Sequence, residues 1–237
     1  MATKAHDVES IVDDFRYSTN VATAHVSIRL GFLRKVFGIL STQLLVTTVV
    51  GAIFMYTDGV KAYVQSSQGM LIVAYVSSIF LLLALFVKRR ESPTNMILLA
   101  LFTLVEAYSV GTIVTFYNKG VVLEAFTLTL VVTLSLTAYT MQSKRDFSSW
   151  GAGLYSALLI LIVSGLLHIF LLHSDTLEFL LAIFGALLFC AFIVFDVHMM
   201  MHKLSPEEYI LASINLYLDI LNLFLHILRI LGEAQKK

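Results

Sequence analysis

Hydrophobic residues fall into seven long segments along this 237-residue chain, and short polar stretches separate them. A helix rises about 1.5 Å per residue, so each segment is long enough to cross a hydrocarbon core of about 30 Å. The segments are residues 36–57, the stretch between Lys61 and Lys88, and residues 94–117, 120–141, 151–173, 177–200 and 208–231. The pattern predicts an all-α polytopic membrane protein built as a seven-helix bundle.

The last segment differs from the others because polar residues recur along one side of it. Their intervals of seven, four, three, four and three residues place them on one face of a helix. They are Glu208, Asn215, Asp219, Asn222, His226 and Arg229. An ionisable group in mid-membrane costs about 2.5–3.5 kcal/mol, so this face must meet protein or water. We therefore expect the last helix to lie inside the bundle.

Basic residues near the segment ends predict the orientation of the bundle. Most of them fall on one side of the predicted membrane, and only Lys61 and Lys119 fall on the other. The majority are Arg29, Arg34, Lys35, Lys88, Arg89, Arg90, Lys144, Arg145 and Lys203. Residues 1–30 are therefore predicted to be a cytosolic segment, followed by a single transmembrane domain over residues 31–237. Seven full crossings would place Lys236 and Lys237 on the far side, whereas a re-entrant last segment would return them to the cytosol; the sequence leaves both open.

Composition narrows the class of protein further. Hydrophobic residues make up 58% of the chain and charged residues 14%, against roughly 45–50% and about 25% in soluble domains. Sixteen basic residues balance sixteen acidic ones, so the basic excess that nucleic-acid binding requires is missing. The single cysteine, Cys190, cannot form an internal disulfide. We exclude a soluble enzyme and a nucleic-acid partner.

Two carboxylates, Asp196 and Asp219, lie in the sixth and seventh segments. The chain turns near Pro206, about ten residues after the first and about thirteen before the second, so antiparallel helices would bring them to similar depth. Two carboxylates about 4–6 Å apart in a poorly solvated place cannot both ionise at low cost, so such a pair would titrate near physiological pH. The alternative is that each aspartate pairs separately with a base such as Arg89 or Arg229.

The spacing alone does not assign a role to three further residues with reactive or ligating side chains, which are Glu106, His198 and His202. Glu106 in the third segment is either a second site on a cation path or a protonated acid hydrogen-bonded across helices. His198 and His202 lie four residues apart, the spacing at which two imidazoles can share a metal ion, although no third ligand is evident. The chain does not match the patterns of membrane serine proteases, aspartyl proteases or retinal proteins, so no enzymatic activity is predicted.

Several motifs resemble those of the transmembrane Bax inhibitor motif (Lifeguard) family. The likeness is strongest toward the C-terminus and extends over nearly everything after about residue 25. The motifs are residues 32–35, 102–106, 114–117, 142–147, 185–196, 202–209, 216–224 and 228–229. The chain departs from the family pattern at Val197, where a threonine is usual, and at Met199, Met200 and Met201 beside it.

The resemblance implies a fold and a function. The fold is six helices around a central last helix, and the function is a calcium leak or cation channel of Golgi and endoplasmic reticulum membranes that protects cells from apoptosis. It also implies that Asp196 and Asp219 form a pH-sensing pair that gates the channel. The basic cluster of Lys88, Arg89 and Arg90 would supply a cation that latches this pair, with Lys88 at the matching position.

We therefore predict a pH-sensitive channel in which Asp196 and Asp219 are the gate and also candidate calcium ligands. The expected ion pathway comprises Glu106, Glu207, Glu208, Asn215, Asn222, His226 and Arg229. The expected partners are the lipid bilayer, calcium and other cations, a second copy of the chain, and Bcl-type proteins or calcium-release channels. Calcium is expected as the permeant or bound ion, and no other cofactor is expected. The main alternative is an anti-apoptotic scaffold that conducts no ions, and a hydrolase with zinc on His198 and His202 ranks well behind it.

Overall fold

The computed structural model describes residues 21–22, 24–168, 170 and 174–235, and within these ranges it contains α-helices and no β-strand. The helices are α1 (Val26–Tyr56), α2 (Asp58–Ser66), α3 (Gln68–Lys88), α4 (Thr94–Val114), α5 (Lys119–Gln142), α6 (Gly151–Leu167), α7 (Asp175–His202) and α8 (Tyr209–Gln235). All but α2 are long and apolar enough to cross a membrane. The predicted fold class is confirmed. Most of the predicted cytosolic segment, the predicted segment end at His173, and Lys236 and Lys237 lie outside the described residues.

Two helix boundaries differ from the predicted segments. The first helix begins at Val26, ten residues before the uncharged stretch, and His25 caps it by accepting a hydrogen bond from the Ser27 backbone N–H. Charged residues on a helix end do not interrupt the helix, so hydropathy detects only its apolar part. The predicted second segment is divided at Ser67 into the short helix α2 and the spanning helix α3, where serine and glycine lower helix propensity.

The last helix is the most buried of the spanning helices. Within its apolar window 61% of the residues are buried, compared with 11% for the window that contains α6. It packs against α1, α4, α5 and α7, whereas α3 packs on α4 and α6 packs on α7. The structure therefore places the helix with the polar face inside the bundle. It also runs without interruption over 27 residues, whereas a re-entrant segment would turn within the membrane.

The outer helices carry large apolar side chains on the surface. Phe80 of α3 is 67% exposed and Ile160 of α6 is 61% exposed, and similar residues cover much of α5. Soluble proteins rarely expose continuous apolar surface on this scale. These surfaces match the hydrocarbon of a bilayer, as expected of an integral membrane protein.

Three interhelical loops meet at one end of the bundle. The α3–α4 loop reaches the start of α8 through Arg90 and Glu208, and the α5–α6 loop reaches the end of α7 through Asp146 and His198. We call this the basic end, because it carries the majority of loop lysines and arginines. The positive-inside rule predicts that it faces the cytosol.

Candidate functional site

The structure brings the two predicted carboxylates, Asp196 and Asp219, together. The helices α7 and α8 form an antiparallel hairpin, and Ser205 caps the short 3-10 turn Pro206–Glu208 between them by accepting from the Glu207 N–H. The side chains of Asp196 and Asp219 lie close enough across this interface to interact directly. They are 8% and 5% exposed. The hairpin thus buries an acid–acid contact inside the bundle.

A hydrogen bond between two carboxyl groups requires a proton on one of them. Asn215, one turn before Asp219 on α8, also lies close to Asp196. The Oδ2 atom of Asp219 is buried and has no hydrogen-bond partner among the described residues. A buried acceptor without a partner is costly, so this oxygen is the atom best placed to gain from a proton or a cation.

The structure does not support the alternative in which each aspartate has its own base. Arg229 lies beside Glu178 of α7, with 3.5 Å between Nε and Oε1. Arg89 lies beside Glu208, with 3.3 Å between Nη2 and Oε1. Both of the bases considered from the sequence are therefore paired with glutamates.

The polar face of α8 lies along α7 over most of its length. Beyond Asn215 and Asp219, the ring of His226 stacks on Phe189 of α7 with 5.6 Å between centroids. Arg229 then meets Glu178, and Asn222 donates to the Leu218 carbonyl of its own helix at 2.8 Å. Asn215, Asp219 and His226 of the predicted face are thus directed at α7, and the exposed Arg229 meets α7 at the far end; we call this row of residues the polar line.

Glu106 lies on α4 and is not part of that line. It accepts a hydrogen bond from Ser78 of α3, which fits the interpretation as an acid bonded across helices. It is close enough to Tyr217 of α8 to interact with it electrostatically. A role in an ion path stays a prediction.

Sequence reasoning missed a second polar contact of α8. The hydroxyl of Tyr217 lies 2.7 Å from Thr47 Oγ1 of α1, and Tyr217 is fully buried. Beside it, Gln43 of α1 donates to Thr103 of α4 at 3.0 Å. Tyr217 is two residues before Asp219, which is about 200° around a helix. Tyr217 lies outside the regular spacing of polar residues on α8. Because tyrosine is also common at apolar positions, the sequence gave no indication of this hydrogen bond.

At the basic end the three predicted latch residues contact glutamates. Lys88 pairs with Glu91 at 2.8 Å in its own loop, and Arg89 and Arg90 both reach Glu208. Glu207, the neighbouring acid, is exposed. A latch between these bases and the aspartate pair stays a prediction that this conformation does not display.

The two histidines at the end of α7 form a cluster with the α5–α6 loop. His198 Nε2 lies 2.9 Å from Asp146 Oδ1, and the rings of His198 and His202 stack with 4.4 Å between centroids. Hydrogen bonds from the Ser148 side chain and backbone lower the pKa of Asp146 to about 2. No group of three or more histidine, cysteine or acidic residues within the described part of the chain has the geometry of a metal site. The cluster is an acid–histidine contact that joins the α5–α6 loop to α7.

Comparison with known proteins decides the family. The family model described as "Inhibitor of apoptosis-promoting Bax1" matches residues 29–236. This chain belongs to the Bax inhibitor family. The resemblance inferred from the sequence motifs is confirmed, and the matched residues include Asp196, Asp219 and the seven spanning helices except for the first three residues of α1.

Members of the Bax inhibitor family from distant organisms align over nearly their whole length. The "Golgi anti-apoptotic protein" of vaccinia virus (strain Lister) is 53% identical over 228 residues, which cover 96% of each chain. "Protein lifeguard 4" of Mus musculus is 50% identical over 228 residues, 96% of this chain and 95% of the mouse protein. "Bax inhibitor 1" of Schizosaccharomyces pombe is 43% identical over 224 residues, 94% of this chain and 84% of the yeast protein.

Proposed function

We propose that this Bax inhibitor family protein is a pH-sensitive calcium leak, or cation channel, of Golgi and endoplasmic reticulum membranes. By lowering stored calcium it would inhibit apoptosis. The observation that carries the proposal is the close approach of the buried carboxyl groups of Asp196 and Asp219.

The first step is the proton that the pair shares. While one carboxyl group is protonated, it would donate a hydrogen bond to the other and hold α7 and α8 together at this depth. Loss of the proton leaves two like charges in a poorly solvated place, and their repulsion favours separation of the helices. A change in pH therefore biases two states of the α7–α8 interface.

The second step concerns the pathway for the ion and the ion that passes through it. Separation of α7 from α8 would open the polar line that runs from Asn215 to Arg229. Calcium is a hard cation that prefers oxygen ligands, and a doubly ionised Asp196–Asp219 pair offers four carboxylate oxygens. The same groups would then act as sensor and as transient ligands of the permeant ion.

The proposed role in inhibiting apoptosis is supported by the names of the matching family and of the relatives. The matching family description refers to inhibition of apoptosis-promoting Bax1, and the viral relative is named as a Golgi anti-apoptotic protein. Integral membrane helices with a titratable contact between them are compatible with a leak that empties stores. The expected orientation has the basic end in the cytosol.

Flux through the purified protein tests the proposal. The wild-type protein is reconstituted into liposomes that contain a trapped calcium dye, with protein-free liposomes and an Asp58→Asn variant as controls, because Asp58 is an exposed acid of α2. Calcium entry that depends on the protein and is retained by Asp58→Asn supports the channel. No flux above protein-free liposomes over the whole pH range would contradict it and favour the scaffold, in which protection from apoptosis comes from binding Bcl-type proteins or calcium-release channels.

A further inference from the structure

The turn between α7 and α8, residues 204–209, is attached to the N-terminal part of the bundle. The Val21 backbone N–H donates to the Leu204 carbonyl at 2.9 Å. The Lys35 ammonium of α1 lies 4.1 Å from the centroid of the Tyr209 ring, in a cation–π contact. Both ends of this α7–α8 turn are therefore held from the α1 side.

Glu208 attaches the same turn to the α3–α4 loop. Its Oε1 lies 2.9 Å from Arg90 Nη2 and 3.3 Å from Arg89 Nη2. Its side chain is 13% exposed, whereas those of Arg89 and Arg90 are 32% and 56% exposed. One largely buried acid is thus shared by two partly solvated bases, directly before the first residue of α8.

The α3–α4 loop is arranged to present these two bases. Asn95 is buried, and its side-chain amide donates to the Arg89 carbonyl at 3.0 Å. Lys88 points to Glu91 within the loop, with 2.8 Å between Nζ and Oε2. Of three successive bases, the two arginines reach the α7–α8 turn and the lysine does not.

We infer that Glu208 is a positioning residue: its pairs with Arg89 and Arg90 hold the first turns of α8 so that Asp219 stays against Asp196. This inference rests on the proposed channel function, and it assigns the electrostatic latch to the start of α8 rather than to the aspartate pair. Asp219 lies eleven residues after Glu208, which is about 16 Å along a helix, and α8 is continuous from Tyr209 to that point. A rigid helix transmits a displacement at its first turn to that depth.

The exposure of the arginines fits a contact that opens reversibly. Partly solvated ion pairs are weak and are screened by salt. Loss of the contact should therefore raise closed-state leak by roughly two- to fivefold rather than open the channel fully. High salt should have the same effect on the wild-type protein and little effect on a protein without the contact.

The experiment uses the full-length protein in liposomes and two readouts. The variants are Glu208→Gln, the charge reversal Glu208→Arg, and the reciprocal combination Glu208→Arg with Arg89→Glu and Arg90→Glu. Glu91→Gln is the matched control, because it removes an acid from the same loop without a contact to α8. Calcium flux at neutral pH measures the gate, and hydrogen–deuterium exchange of the amides at residues 210–214 measures the position of the first turn of α8.

The expected result is raised flux and faster exchange in Glu208→Gln and more so in Glu208→Arg, with both restored in the reciprocal variant. Glu91→Gln should match the wild type in both readouts. Unchanged exchange in both Glu208 variants, or no rescue by the reciprocal variant, would overturn the latch. If the wild-type protein conducts no calcium, the proposed channel function fails, and the exchange data alone then decide whether Glu208 positions α8.

Discussion

Tyr217 of α8 and Thr47 of α1 are joined by a buried hydrogen bond of 2.7 Å. Thr47 donates its own hydroxyl proton to the Gln43 carbonyl at 2.9 Å, so Tyr217 is the donor to Thr47. On the other side of α8, Asp219 lies against Asp196 of α7. The last helix is therefore held by polar contacts on two sides, and its rotation about its own axis is fixed.

Replacing Thr47 with valine should destabilise the protein. Valine keeps the shape of the side chain but leaves the Tyr217 hydroxyl buried without an acceptor, which costs about 1–3 kcal/mol. Thermal unfolding of the purified protein in detergent measures the change. Thr48→Val is the matched control, because Thr48 is exposed and its hydroxyl bonds only to the Leu44 carbonyl of its own helix among the contacts described. Equal melting temperatures for the two variants would show that the Tyr217 contact carries no stability.

Gly185 of α7 should not tolerate alanine. A methyl group there would collide with the ring of His226, which is stacked on Phe189 and has little room to move. Overpacking of this kind costs about 1–3 kcal/mol. The matched control is Gly153→Ala in α6, where a methyl group meets nothing within 4 Å and should stabilise the helix by up to about 1 kcal/mol. Unfolding curves should move in opposite directions for the two variants, and a shared direction would contradict the packing described for His226.

Asp146 should stay ionised over the whole physiological range. Hydrogen bonds from Ser148 hold its pKa at about 2, below its ordinary value of 3.8. Because the folded-state pKa is the lower one, the contribution of Asp146 to stability is present above 3.8 and is lost as the pH falls toward 2. The carbon-13 shift of the Asp146 carboxyl group follows this titration, and Ser148→Ala should move its midpoint upward. A midpoint in wild type at or above 3.8 would show that Ser148 does not stabilise the ionised form.

The spanning helices and the aspartate contact could be predicted from the sequence for physical reasons. A helix that spans a bilayer must be apolar over most of its length. Few ionisable residues occur inside such helices, so Asp196 and Asp219 stand out in the sequence. Their spacing from the turn at Pro206 then fixes their relative depth. The extension of α1 back to Val26 was not predictable from hydropathy, because Arg29, Arg34 and Lys35 interrupt the apolar residues in that part of the helix.

The contacts at the ends of the helices could not be predicted in the same way. Lys88, Arg89 and Arg90 are the predicted latch residues, and in the structure Lys88 contacts Glu91 while the two arginines contact Glu208. Which of several neighbouring acids and bases pair depends on the loop backbone and not on sequence spacing. Tyr217 was missed for a related reason, since only the packing of α8 on α1 decides that its hydroxyl meets Thr47.

The most direct test of the central claim is the pH profile of calcium flux through the reconstituted protein, measured for wild type, Asp196→Asn and Asp219→Asn. Wild-type flux should rise with pH as the shared proton is lost and the two carboxylates repel each other. In each variant an amide replaces one carboxyl group and can bond to the remaining carboxylate, so flux should stay low and independent of pH. Identical flux and identical pH profiles in all three proteins would contradict the account.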